Sequence, residues 1–417
     1  MSRKPLQNGT RFTCCLSRLR TPNGTPRKHQ PCLVLMTDLT QRAQALQPLL
    51  RLAAAEIEQT RRLSPAVLTA LHALQAFNLQ VSQDYGGPAA DPITHLRVIE
   101  TLSQGDASSG WCAMVGSESS ACINAFLAPE IVREMLVEIP RAVAALTVVG
   151  GGRAVECDGG WLVSGHWRFA SGCRHATWLG GLCAVYSGDT PRLRENGAPL
   201  MRLIFAPAKL AELLDTWHTS GLQGTASDDF TLKEVFVPHA RAVDLFGAPR
   251  DPALAWRLPI SLRFAMSKAA ATCGIARGAM DALLPLLDRV PFAGRQAARE
   301  EPRVQMMLAQ AEAAIEGGRA YLYQNVQQAW DAVQRGNVLD VAAVARVRLA
   351  IVFAAKRALE AVGLLQEIGG TAAVFEPALD RAVRDLNVAR HHLQLQAHVV
   401  EDVGRVLLGI APRNPMF

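Results

Sequence analysis

The sequence predicts an α+β fold in three blocks. A helical domain spans residues 36–140, a small barrel-like β domain residues 141–245, and a carboxy-terminal four-helix bundle residues 246–417. Two observations carry this reading. Apolar residues recur at helical spacing in the first and last blocks, whereas the middle block consists of short apolar runs broken by Gly, Asp and Pro. With 417 residues, 49% of them hydrophobic, the chain can bury a large core.

Residues 1–35 come first and read as a disordered extension. They are rich in Pro, Gly, Asn and Thr and hold seven of the 43 basic residues with no acid. The formal net charge of +6 is therefore an end effect: the remainder has 36 basic against 37 acidic residues, and no nucleic-acid partner is expected. A strongly helical pattern begins after Met36, which makes Met36 the expected start, with a targeting segment as the rival reading. Within the first helical block, Leu46, Leu49, Leu50, Ala53, Ala54 and Ile57 share one face. Asp91-Pro92 offers a cap followed by proline at the first turn. Ala107 to Leu127 is apolar nearly all round, as in a buried helix.

The β block contains Ala142–Val149, Trp161–Phe169, Leu179–Tyr186 and Leu200–Phe205. Asp158-Gly159-Gly160 is a hairpin signal, and the strand it opens runs to Ser171-Gly172. Alternation places Trp167, Phe169 and Ser171 on one face. On its own this ending reads as a structural strand end. In the last block, breaks near Pro291–Gly294, Gly336 and Gly369-Gly370 divide the chain into four long helices. No apolar run reaches membrane-spanning length, so no membrane association is expected. Nine cysteines without a Cys-x-x-Cys pair suggest neither zinc nor another metal and fit reduced thiols in a cytoplasmic enzyme. No Gly-x-Gly-x-x-Gly element followed by a suitable acid marks a nicotinamide site.

Several motifs together resemble the acyl-CoA dehydrogenase superfamily. Gly165, Trp167, Phe169, Ser171, Gly172, His175, Ala176 and Trp178 fill a strand pattern similar to that of its reduced-flavin-dependent two-component monooxygenases. Tyr85-Gly86-Gly87 resembles the loop closing the first helical region. Gly221-Leu-Gln-Gly224-Thr225-Ala-Ser227, Val235-Phe-Val-Pro238, and Gln366-Glu-Ile-Gly369-Gly370 with Arg384-Asp385 follow in family order. The resemblance implies the family order of helices, sheet and helices, usually as a homotetramer. It implies the oxygenase component of such a monooxygenase. That enzyme takes reduced flavin (FADH2 or FMNH2) from a separate NAD(P)H:flavin reductase and uses O2 on a small aromatic or carrier-bound substrate. The alternatives are an acyl-CoA dehydrogenase with a displaced base and a non-catalytic member.

The resemblance also assigns residues. A dehydrogenase needs a carboxylate base, yet no acid lies between Asp385 and Glu401, or between Asp251 and Asp281. His391-His392 stands there instead, and family spacing selects His392 as the catalytic residue, able to exchange protons if its pKa is near 6.5. Ser171 would meet the N5 edge of the flavin, accepting or donating. Trp167 and Phe169 would wall the flavin or fill the sheet core. Gln366, Gly369 and Gly370 would contact a neighbouring subunit's flavin, with Arg289 and Phe292 a looser match for the same purpose. His175 reads as structural. Asp106-Ala-Ser108-Ser109-Gly110-Trp111 matches an element that places Trp111 in the substrate pocket with His392. The histidine that phenol-hydroxylating members often carry in the following helix is absent: none occurs between His95 and His166.

Overall fold

The computed structural model describes residues 38–245, 247–288, 296–414 and 417. The expected extension at 1–35, and Arg289 and Phe292, lie outside the described residues. The chain opens with helices α1 (Leu39–Thr60), α2 (Pro65–Leu74), α3 (Pro92–Gly105), α4 (Ala107–Phe126) and the short α5 (Pro129–Val132). Short polar caps set their starts. Asp91 accepts from the Ile93 and Thr94 amides ahead of α3, and Asp106 accepts from the Ser109 amide ahead of α4. From Ala107 to Ala125 every residue of α4 except Val115 is buried.

The middle of the chain forms one sheet: β1 (Ala144–Cys157), β2 (Gly160–Trp167), β3 (Trp178–Ser187), β4 (Thr190–Pro191), β5 (Met201–Pro207), β6 (Glu212–Leu214), β7 (Asp229–Pro238) and β8 (Ala242–Val243). Its order is β6-β7-β2-β1-β3-β5-β8, with β4 beside β3. The β1–β2 hairpin turns at Asp158-Gly159, where Gly159 takes φ 72°. The expected barrel is instead an open sheet. Its edge strands, β6 and β8, span three and two residues and do not pair with each other.

Helices α6 (Ile260–Leu283), α7 (Pro302–Gln334), α8 (Val341–Phe375), α9 (Pro377–Ala389) and α10 (Ala397–Leu407) complete the fold. Four were expected. The Gly369-Gly370 break kinks α8 at Gly370 (φ 49°, ψ −130°) without ending it, and α9 and α10 follow as separate short helices. The stretch Ile260–Asp288 is long and apolar enough to cross a bilayer, contrary to the expectation from sequence. It carries buried Arg263 and Lys268, and 67% of its apolar window is buried against α3, α8 and α9, so it is a core helix here.

Candidate active site

Strand β2 ends at Trp167, and the next two residues undo the expected alternation. Phe169 has φ 62°, the left-handed region that flat-strand geometry forbids. Trp167 follows the alternation of β2 into the sheet core, fully buried, stacked on Phe230 at 4.9 Å and donating its indole N–H to the Leu182 carbonyl at 2.9 Å. Cβ atoms at Gly152, Gly165 or Gly181 would collide with its ring, which accounts for Gly165 in the strand pattern. Of its two expected roles, Trp167 takes the core-filling one. Phe169 does the opposite: its side chain is 51% exposed and sits edge-on to Trp217 at 6.2 Å. Trp167, Phe169 and Ser171 do not share a face.

Ser171 lies one turn further on, 7% exposed. Its Oγ accepts from the Trp111 indole N–H at 3.2 Å and lies 2.6 Å from Ser227 Oγ. Ser227 Oγ lies 2.7 Å from Thr225 Oγ1, which donates to the Leu222 carbonyl at 2.8 Å. Backbone bonds fasten the two segments together: the Ala170 amide donates to Asp228 O at 3.0 Å and the Gly172 amide to Thr225 O at 2.8 Å.

The 221–228 loop is held from three directions. Gly221 packs against the Arg384–Asp385 backbone and Gly224 against Ile57 and Ser108, both too closely for a Cβ. Asp385 accepts from the Leu222 amide at 2.5 Å, and Arg384 pairs with Glu58 and donates to the Ser220 carbonyl. Asp228, 1% exposed, accepts from the Thr216 and Trp217 amides and from Arg174 Nε. Leu222 (φ 50°) and Ala226 (φ 43°) join Phe169 as left-handed non-glycine residues, so three strained positions flank the hydroxyl chain. Burial pushes the Asp385 carboxyl up to about 7, with the Leu222 amide opposing and Asp106 reinforcing the shift. Asp106 and Asp385 also line a cavity of about 280 Å³ behind this loop, with Arg51, Ser103, Asp281 and Arg381.

Trp111, on α4, joins this network to the loop after α9. Its ring meets the His392 ring edge-on at 5.8 Å. His392 Nδ1 accepts from the Gln394 amide at 3.3 Å, which leaves the proton of the neutral ring on Nε2. Burial, then the charge of Lys268, holds the His392 pKa down to about 3. That lies well below the 6.5 expected of an ordinary imidazole, although the His392 side chain is only half-buried. His391 is exposed.

Sequence reasoning missed a charged cluster beyond Trp111. Glu118, two turns along the same stripe of α4, pairs with Lys268 of α6 at 2.5 Å and accepts from the Ser267 hydroxyl. Arg263 donates to Gln80, whose amide nitrogen lies 2.6 Å from His95 Nδ1, and stacks on Trp256 at 3.7 Å. Burial lowers the Arg263 pKa to about 10 and that of His95 to about 3. The available signal was a single acid, Glu118, inside an otherwise uncharged buried helix.

The remaining expected residues lie elsewhere. His175 packs on Phe77 at 5.5 Å, with its Nε2 buried and unpartnered, and burial lowers its pKa to about 4. Gln366 and Gly370 are exposed on α8 and Gly369 is partly so; no hydrogen bond or ring contact among the described residues joins them to the Ser171 network. Ser171, Trp111 and His392 are brought together, whereas Phe169 is exposed two residues before Ser171.

Two family descriptions match. "Acyl-CoA dehydrogenase, N-terminal domain" covers residues 42–140, and "Acyl-CoA dehydrogenase, C-terminal domain" covers residues 266–397. An indole-3-acetate monooxygenase of Pseudomonas putida is 29% identical over 360 residues, 86% of this chain and 90% of that protein. A FADH(2)-dependent resorcinol hydroxylase, oxygenase component, of a Rhizobium species is 27% identical over 90% of this chain and 95% of its own. Among solved structures, the HsaA monooxygenase of M. tuberculosis superposes with a TM-score of 0.80 at 25% identity, covering 90% of this chain and 98% of that one. XiaF from a Streptomyces species, in complex with FADH2 and glycerol, gives 0.79 at 22% identity over 90% of this chain and 96% of its own. With both terminal family domains present in order around a central sheet, the chain belongs to the acyl-CoA dehydrogenase family and is a flavin-dependent oxidoreductase of its monooxygenase branch.

Proposed function

We propose that this chain is the oxygenase component of a two-component flavin-dependent monooxygenase, acting with O2 on a small aromatic or carrier-bound substrate. The observation that carries this reading is the array Ser171–Trp111–His392, a hydroxyl, an indole and an imidazole in contact, with His392 in the loop where a dehydrogenase of this family needs a carboxylate. The names of the relatives, an indole-3-acetate monooxygenase and a resorcinol hydroxylase, support an aromatic substrate.

The residues suit a flavin. Phe169 offers an exposed ring beside Ser171, whose oxygen keeps one lone pair open. When bound, reduced FAD or FMN supplies the activation of O2. The chain's own part is positional. Trp111 walls the substrate pocket, and His392 presents Nε2–H to an oxygen of the substrate and stays neutral because of its burial near Lys268. A separate NAD(P)H:flavin reductase delivers the reduced cofactor. In a homotetramer, Gln366, Gly369 and Gly370 of one chain contact the flavin of a neighbour. Free thiols at the six described cysteines support a cytoplasmic setting.

The test is anaerobic titration with FADH2 and FMNH2, then an oxygen pulse with indole-3-acetate or resorcinol present and product analysis. Reduced-flavin binding and oxygenated product are expected, and purified protein alone should not oxidise NADH. A yellow protein that bleaches on addition of an acyl-CoA would instead establish the dehydrogenase.

A further inference from the structure

The hydroxyl chain behind Ser171 has a fixed direction, and its far end sets it. A carbonyl oxygen only accepts, so Thr225 Oγ1 must spend its hydrogen on Leu222 O, 2.8 Å away. Thr225 then faces Ser227 as an acceptor, and Ser227 donates to it across 2.7 Å. Ser227 in turn faces Ser171 as an acceptor, so Ser171 donates inward across 2.6 Å. The Trp111 indole can only donate, and it takes one lone pair of Ser171 at 3.2 Å. Thr225, Ser227 and Ser171 are 1%, 3% and 7% exposed, which leaves little room for water to supply other partners.

One site therefore remains open on Ser171 Oγ, a lone pair. We propose that Thr225 and Ser227 are positioning residues that lock Ser171 as an acceptor, and so make the site select reduced over oxidised flavin. Reduced flavin carries a hydrogen on N5 and can donate to Ser171. Oxidised flavin presents a bare N5 lone pair, which would face the Ser171 lone pair. Acceptor against acceptor leaves a buried polar group unpaired, a mismatch worth roughly ten- to a hundredfold in affinity. The inference rests on the flavin-dependent reading above and adds to it the origin of redox-state preference, in residues that do not touch the cofactor.

The measurement is equilibrium binding of FAD and FADH2, and of FMN and FMNH2, to the full chain under anaerobic conditions, with the midpoint potential of the bound flavin as a second readout. Wild-type protein should bind the reduced form at least tenfold more tightly. In Ser227→Ala the Ser171 hydrogen loses its inward acceptor and is free to turn outward. Oxidised flavin should then bind about tenfold more tightly, and the midpoint should fall by about 30 mV, the equivalent of tenfold for a two-electron couple. Thr225→Val should act in the same direction from one position further back. Ser171→Ala should also erase the preference, by weakening the reduced form instead.

An oxidised-to-reduced affinity ratio unchanged in both Ser227→Ala and Thr225→Val overturns the proposal, as does wild-type protein that binds both forms equally. If one variant fails to fold, the other and the wild-type ratio still decide. Failure to bind flavin in either redox state sinks the functional reading as well. Selective binding without oxygenated product sinks only that reading.

Discussion

Where β2 ends and β7 begins, Ser171, Ser227 and Thr225 carry no charge, and each hydroxyl hydrogen has an acceptor. Between α4 and α6, Glu118 and Lys268 carry opposite charges on side chains 7% and 6% exposed. Trp111 borders both, donating to Ser171 and lying on the α4 stripe that leads to Glu118. The neutral chain stores its information in direction, which depends on backbone held in strained conformations at Phe169, Leu222 and Ala226. The ion pair stores its information in charge, which reaches His392 and His95 through a medium that screens poorly. Loss of a partner should therefore be costly in the helical region and mild in the sheet.

The largest effect should come from breaking the ion pair. Lys268→Met leaves Glu118 buried and uncompensated, at a cost of about 3–5 kcal/mol. Thermal denaturation should show a clear drop, and the double variant Glu118→Gln/Lys268→Met should recover most of it. A single variant as stable as wild type would mean that the pair is solvated in solution.

The second effect is a dependence on pH. Burial lowers His95 and His392 to about 3, with Lys268 adding to both and Arg263 to the first, and lowers His175 to about 4, with His72 adding. Each folded value lies below the ordinary 6.5, so the unfolded chain binds protons first. Stability present above pH 6.5 is lost as the pH falls toward 3, at up to about 1.4 kcal/mol per pH unit for each histidine. His392→Gln should reduce that slope by one proton between pH 6 and 4. Oxygenation between pH 6 and 8 should show no ionisation of His392; one near 6.5 would restore it as a proton-exchanging group.

The same contrast explains what the sequence made legible. The candidate site at the ends of β2 and β7 draws on two short segments, 165–178 and 221–227, whose glycines, hydroxyls and tryptophans carry the family resemblance, so Ser171 could be singled out before any contact was known. Its conformation could not. Alternation put Phe169 beside Trp167, and only the left-handed turn at Phe169, stabilised by pairing with the 225–228 segment, separates them. The ion pair escaped for a different reason. Glu118 and Lys268 are 150 positions apart and meet only because α4 and α6 pack. The open sheet likewise depends on edge strands too short to meet, a property of tertiary geometry more than of any local pattern.

A third, smaller effect tests the neutral chain as structure. Thr225→Val removes one hydrogen bond from Leu222 O, which still accepts from the Trp217 indole and the Thr225 amide, and one from the Ser227 hydroxyl, which keeps Ser171, so it should cost about 0.5–1.5 kcal/mol. That is less than Lys268→Met, because no charge is stranded. An equal or larger loss would place the hydroxyls, not the ion pair, at the centre of the fold's stability.

The smallest effect concerns the strained loop, where opposite substitutions two residues apart should have opposite signs. Ala226 sits at φ 43°, ψ 52°, a conformation that costs an L-residue roughly 1–2 kcal/mol. Glycine removes that cost but adds about 0.5–1 kcal/mol of unfolded-state entropy. Ala226→Gly should therefore be neutral or stabilising by up to about 1 kcal/mol. Gly224→Ala should destabilise, because its Cβ would strike Ile57 and Ser108. Equilibrium denaturation of both variants decides the matter. If Ala226→Gly lowers stability as Gly224→Ala does, the loop is held by the alanine methyl and not in spite of it, and the view that Asp385, Asp228 and the two glycines hold a strained backbone in place fails.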